Sequence, residues 1–313
     1  TTRLNIGELR NTGFEVTLES TNIQNKNFTW SSSFNIAFNK NKILSLNYGQ
    51  EQMTSYISWD QKFRNQIAYF TRVGESAGKM YGFVYDGTYK EEDFNITVNE
   101  NGKKTYELKP GVPKFKDGCQ PGDPKYKNID GSEDNLITDN DRTVIGNGHP
   151  LHTGGFTNNF VYKNWDLNIF LQWSYGNDVF NVNRLVMENP GAKKQLNQFA
   201  SYKNRWSESN PTSNIPRVRA VGADEYSSLY VEDGSFLKLK TISLGYNFDT
   251  KTLKRIGLSA ARVFVSAENI ATITGYSGSD PEVSTRHSVL TPGFDWSAYP
   301  RAFNASLGVN VTF

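Results

Sequence analysis

The sequence is poor in the residues that most often carry chemistry. It has one cysteine, Cys119, and three histidines in 313 residues. A single thiol excludes an internal disulfide framework and any paired-cysteine metal or redox motif. Charge of one sign is also lacking: 34 Lys and Arg stand against 32 Asp and Glu, a net +2, so no basic field exists to hold nucleic acid. No run of 18 apolar residues occurs, which excludes a transmembrane helix. The first residues, Thr1 to Asn5, have neither the charged start nor the apolar core of a secretion signal, and the expectation is a chain that begins inside a longer precursor. Serine-hydrolase, Walker, zinc-protease and dinucleotide fingerprints are all missing.

What is present is alternation. From Phe303 to Phe313 the odd positions are Phe303, Ala305, Leu307, Val309, Val311 and Phe313, and the even ones are small or polar. Trp165 to Tyr175 repeats the pattern, with Trp165, Leu167, Ile169, Leu171, Trp173 and Tyr175 on one face. Eleven residues of period two match the roughly 9 to 11 of a tilted membrane strand and exceed the ~5 to 6 usual in globular sheets. Phe14–Leu18, Phe28–Phe38, Phe156–Tyr162 and Arg262–Asn269 alternate less purely. In Phe236–Phe248 the phase slips, which predicts a bulge near Thr241. Aromatics at 13% bracket the strands as membrane girdles do. A soluble sheet with one wet face would alternate in the same way, so that reading stays open.

Connection lengths also alternate. Ser20–Asn27, Lys163-Asn164 and Asp249–Ser259 are short, and the segments before Pro150, from Gly176 to Gly234 and from Ile273 to Pro300 are long. Outer-membrane barrels have short periplasmic turns and long extracellular loops. The expected sidedness follows, with residues 89–150 and 177–233 extracellular. A short helix is expected in Glu188–Ser207, and the pairing of strands between residues 40 and 150 stays open.

Several ordered motifs resemble the SusC/RagA family of TonB-dependent outer-membrane transporters: Ile145-Gly-Asn-Gly-His-Pro150, Gly154-Gly-Phe-Thr-Asn-Asn-Phe-Val-Tyr162, Tyr230-Val-Glu-Asp-Gly-Ser-Phe-Leu-Lys-Leu-Lys240, Ser266-Ala-Glu-Asn269, Thr274-Gly-Tyr-Ser-Gly-Ser-Asp-Pro-Glu282 and Tyr299-Pro-Arg301. The resemblance spans nearly the whole chain. It implies an all-β, antiparallel transmembrane barrel of about 22 strands, closed by an N-terminal plug and partnered by a SusD-like surface lipoprotein and by TonB. The cell outer membrane of a Gram-negative, Bacteroidetes-like organism is the implied location. Residues 1–313 would be the C-terminal part of such a barrel, with room for about ten strands, lacking plug and TonB-contacting segment. The implied activity is energy-coupled import of an oligosaccharide or a peptide, without covalent chemistry. The competing readings are a soluble carbohydrate-binding or adhesive β domain and a β-rich hydrolase.

Two candidate sites emerge. Asp130, Ser132 and Asp134 occupy positions 1, 3 and 5 of a calcium-type loop, with a Leu136 carbonyl, an apolar anchor at Ile137 and Asp141 at position 12. Asn135 replaces the usual glycine and Asp141 the usual glutamate, and a solvated acidic turn is the plain alternative. Tyr56, Trp59, Trp206 and Tyr226 in the long connections can stack on sugar rings, or pack the loops together. His149 and His152 lack a third ligand, and Glu91-Glu92 and Glu232-Asp233 read as wet turns.

Overall fold

The computed structural model describes residues 7–189, 191, 195–285 and 288–313. Seven strands form one sheet: β1 (Gly7–Gln24), β2 (Phe28–Leu46), β3 (His152–Tyr162), β4 (Trp165–Tyr175), β5 (Phe236–Asn247), β6 (Ala260–Thr274) and β7 (Asn304–Thr312). Their order in the sheet is their order in the chain, and every neighbouring pair is antiparallel. The expectation is about ten wall strands, and seven are found among the described residues, because residues 47–151 fold into short sheets above the wall instead of adding to it.

The register assembles the apolar positions into lateral rows. Trp30, Phe160, Leu167, Leu244, Val265 and Leu307 are successive cross-strand partners. Next to the short turns runs an aromatic row, Phe28, Tyr162, Trp165 and Tyr246; the Trp165 and Tyr246 rings lie 4.8 Å apart. At the other end Phe14 faces Phe38, and His152 stacks on Tyr175 at 5.1 Å. Aromatic residues thus mark both margins of an apolar band, and further rings lie within it on β2–β4, with Phe34 5.6 Å from Trp173. The band is open even on inner strands: Val265 is 48% exposed and Leu244 38%. One polar break is satisfied internally, since Asn158 Oδ1 accepts from both Trp30 Nε1 and the Ser32 hydroxyl at 3.0 Å.

The opposite face is hydrophilic, with a row Ser31, Asn159, Asn168, Ser243, Ser266, Ser306. Here Arg262 reaches across β5 to Asp166, with Nε–Oδ1 3.0 Å and a terminal nitrogen at 2.7 Å from Oδ2. Gly245 makes the crossing possible, because a Cβ there would overlap both partners. The bulge predicted near Thr241 is found: the register of β5 shifts between Leu239 and Thr241 against both neighbours.

Short turns sit at one end. Asn25 Oδ1 accepts from the Phe28 amide at 2.9 Å and closes β1–β2. Lys163 takes a left-handed backbone, φ 52°, in the two-residue β3–β4 turn. The three long connections leave from the other end and share one core. Phe63, Tyr69 and Met80 from the first, Phe180, Leu185 and Tyr226 from the second, and Phe294 from the third pack together fully buried. A four-stranded sheet (Arg142–Asn147, Lys79–Phe83, Ile67–Arg72, Gln52–Tyr56) lies in the first connection. A three-stranded sheet joins the second and third (Val231–Asp233, Asp178–Asn181, Phe294–Asp295). The expected helix in Glu188–Ser207 is displaced. An α-helix spans Val182–Met187 and a 3-10 turn Ala200–Asn204, while Pro190, Lys193 and Lys194 of that segment lie outside the described residues.

Candidate functional site

The body built by the long connections rests on the hydrophilic face of the wall. At the junction is a cavity of about 550 Å³, bordered by Thr153, Gln172 and Ser174 of the wall, Asn177 of the second connection, and Glu282 and Arg301 of the third. Amides, hydroxyls and charges of both signs share the lining with Trp173, Val179, Phe236, Val283, Val289 and Pro292. Such a mixed lining offers hydrogen bonds together with apolar surface to a ligand.

The charges are held in place by the wall. Lys238 faces the hydrophilic side in register with Gln172 and is 2% exposed. Its ammonium pairs with Glu282 and lies 3.6 Å from Asp280. Asp280 in turn accepts from the Glu282 and Arg301 amides, each at 3.0 Å. Burial pushes the Asp280 carboxyl up, but those amides with Lys238 and Arg301 outweigh it, and the net effect is downward. Lys238 belongs to the Tyr230–Lys240 motif, Asp280 and Glu282 to the Thr274–Glu282 motif, and Arg301 to Tyr299-Pro-Arg301. Three separate motifs therefore meet in one cluster that pins the third connection to β5.

A second lock joins the second and third connections. Glu232 accepts from Arg184 at 3.1 Å, from Asn181 at 3.0 Å, and from both the amide and hydroxyl of Ser277 at 2.8 and 2.9 Å. Burial acts to raise the Glu232 carboxyl, and Ser277 and Arg184 bring it below its ordinary range. Glu232 is thus no wet-turn residue, a correction the sequence signalled only through its place in the Tyr230–Lys240 motif. Glu91 does stand in an exposed pair, with Lys104 at 3.1 Å.

The four aromatic candidates do not converge. Trp59 and Tyr226 come together inside the shared core, where the indole donates to the Tyr226 hydroxyl at 2.7 Å and stacks on Phe63 at 4.8 Å. Burial raises the Tyr226 phenol well above its usual range. Trp206 lies against Gly122, whose φ of 88° and missing Cβ admit the ring. Tyr56 alone is open, 52% exposed. Large aromatics in long loops here supply the core that the loops otherwise lack.

In the candidate cation loop, Asn135 has the left-handed backbone expected of position 6, φ 53°, and Ile137 is buried against Phe83 and Tyr126. The acids are separately engaged. Asp141 is fully buried and accepts from the Ile129, Asp130 and Thr138 amides at 2.7, 3.1 and 2.8 Å. Asp134 accepts from the Ser132 hydroxyl and the Leu136 amide, and Asp130 from the Ser132 amide. Among the described residues no three His, Cys, Asp or Glu side chains gather as a metal site. The loop is organised by its own amides, and these residues do not fit a calcium cage in this arrangement.

An all-antiparallel meander with a bare apolar band, aromatic rows at both margins and a hydrophilic opposite face defines a section of transmembrane β-barrel wall. Comparison with known proteins places it more narrowly. The chain is 34% identical over 99% of its length to TonB-dependent receptor P3 of Formosa agariphila. It is 31% identical to TonB-dependent receptor P26 of the same organism and 29% to TonB-dependent receptor SusC of Bacteroides thetaiotaomicron, again over 99% of the chain. It spans only 29%, 30% and 27% of these relatives' lengths. No family model matches the chain. The RagAB peptide transporter has the same fold, with a TM-score of 0.71 over 99% of this chain and 30% of its own, at 23% identity. The RagAB peptide importer in its open-open state gives 0.66. The resemblance to the SusC/RagA TonB-dependent receptors, read from the ordered motifs, is borne out along the whole chain.

Proposed function

We propose that the chain forms part of the wall and external loops of an outer-membrane importer that takes up a nutrient, an oligosaccharide or a peptide, beneath a SusD-like lipoprotein and with energy delivered through TonB. The observation that carries this reading is the two-faced sheet. A bare apolar band with aromatic residues at both margins is stable only against lipid, and the hydrophilic face behind it lines a space for polar cargo. The long connections, including residues 89–150 and 177–233, are then extracellular. Their shared core makes them a fixed rim, and the cavity beside Glu282 and Arg301 is the part of this chain best suited to touch cargo. No residue needs to make or break a covalent bond. The similarity of the relatives supports import in general; cargo class and partner are the proposal's finer content.

The test uses the full-length receptor in its own host. Disrupting its gene should abolish uptake of either labelled oligosaccharides or labelled peptides by intact cells, and a protonophore should do the same to wild-type cells. Unchanged uptake of both cargo classes in the disrupted strain would sink the reading. Purified receptor should also require detergent, and a monodisperse protein in plain buffer would count against a wall facing lipid.

A further inference from the structure

Above Ala37, β2 parts from β3. Their register ends at the Thr153–Ala37 pair, and the next neighbour of β2 is the first long connection, where Ile43 exchanges backbone hydrogen bonds of 2.8 Å with Gly74 and Glu75. The gap opens a cavity of about 790 Å³. Its lining includes the apolar Phe14, Phe38 and Leu151, the bases Lys40, Lys42 and Lys79, and one acid, Glu75. The continuous β1–β2 register pairs Phe14 with Phe38, Thr12 with Lys40 and Arg10 with Lys42. Side chains two apart share a face, so Lys40, Lys42 and Arg10 point to the same outward side as the apolar band.

Lys40, Lys42 and Arg10 are exposed, and none makes an ion pair among the described residues. The nearby Glu75 is taken by Lys79 at 2.8 Å and Arg72 at 3.7 Å. Arg10 and Lys42 stand directly opposite each other, an arrangement that repels unless an anion lies between them. The basic set begins one outward position, about 6.6 Å, beyond the Phe14–Phe38 row that marks the edge of the apolar band. Hydrocarbon therefore ends where fixed positive charge begins, over a slot with room for a head group.

We propose that this slot binds the phosphate group of a phosphorylated glycolipid in the outer leaflet, with Lys40 and Lys42 on the phosphate, Arg10 beside them on the adjoining strand, and Phe14, Phe38 and Leu151 against the first acyl carbons. Anionic head groups are attracted to basic clusters at this height, each cation contributing appreciably. The assignment rests on the reading that the long connections face outside.

The experiment takes the full-length receptor in detergent and titrates diphosphoryl lipid A, or its dephosphorylated form, by native mass spectrometry. Wild type should retain one diphosphoryl molecule, and the Lys40→Gln, Lys42→Gln double variant should bind it about tenfold or more weakly. The dephosphorylated lipid should bind wild type no better than the variant binds the phosphorylated one. Equal retention by the two proteins, or of the two lipids on wild type, overturns the site. Complete displacement by inorganic phosphate marks a free-phosphate site and overturns the lipid assignment. A Lys40→Cys variant on intact cells should react with an impermeant maleimide beyond the level seen with wild type, Cys119 of this chain being buried. Absence of labelling overturns the sidedness and the site together, whereas labelling without lipid preference overturns the site alone.

Discussion

At the scale of single residues, Lys238 shows how a motif acquires meaning. In sequence it is one polar letter between Leu237 and Leu239, indistinguishable from any inward-facing strand residue. Its partners are 44 and 42 positions away, and only the register that buries it explains why a lysine, an acid pair and an arginine recur in three separate motifs. Removing one partner of a buried charge cluster leaves the others unpaired, at a cost of about 3–5 kcal/mol. Lys238→Ala should therefore release the third connection: hydrogen exchange at the amides of Glu282 and Arg301 should accelerate by orders of magnitude while the core of β4 is unchanged. Unaltered exchange would show that the cluster does not anchor the loop. The acids predict a pH response of definite sign. Asp280 and Glu232 hold protons less tightly when folded than when free, so the folded loops bind fewer protons than the unfolded chain. Their contribution is complete above the free carboxylate range near ~4 and drains as pH falls through the depressed folded values. Exchange protection at Ser277 should thus fall as the pH drops below about 4, and Glu232→Gln should flatten that dependence.

At the scale of elements, the wall was legible because period two over nine to nineteen residues has no competing helical solution, and because a single slip near Thr241 announces a bulge. The small sheets above it were not legible. Their strands are as short as Phe294–Asp295, and what fixes them is contact between residues more than a hundred positions apart, as in the Phe180–Phe294 pair. The loop aromatics were ambiguous for the same reason: Trp59 and Tyr226 suit a ligand platform or loop packing equally well in sequence, and only the shared core places them in packing. The two faces of β4 give a direct test. Ile169 faces the apolar band and Asn168 the hydrophilic side, one residue apart at the same depth. A cation at mid-depth on the lipid face costs about 2–4 kcal/mol, so Ile169→Lys should lower the folded fraction on refolding into bilayers. Asn168→Lys should not. The assay is the mobility difference between unboiled and boiled receptor, and equal behaviour of the two variants would contradict the assignment of faces.

At the scale of the whole molecule, the count of strands matters more than their quality. Seven strands in an antiparallel meander leave β1 and β7 running the same way, so a closed barrel made from these strands alone would need one parallel seam between the 18-residue β1 and the 9-residue β7. Single-chain bacterial barrels avoid this by using even numbers. Among the described residues β1 pairs only with β2 and β7 only with β6, and an unpaired edge of 18 residues is a template for pairing with any other edge available. Composition hides this, since mean hydropathy of −0.59 averages a lipid-facing band with a hydrophilic lining and long polar loops. The 313-residue chain produced by itself in detergent should consequently form ladders of oligomers through edge pairing, visible by light scattering after size-exclusion chromatography. In the full-length receptor, the same two edges should be protected from hydrogen exchange as strongly as β4. A stable, monodisperse monomer of the isolated chain would mean that β1 and β7 close on each other after all, and that the sheet is a barrel in its own right instead of a section of a larger wall.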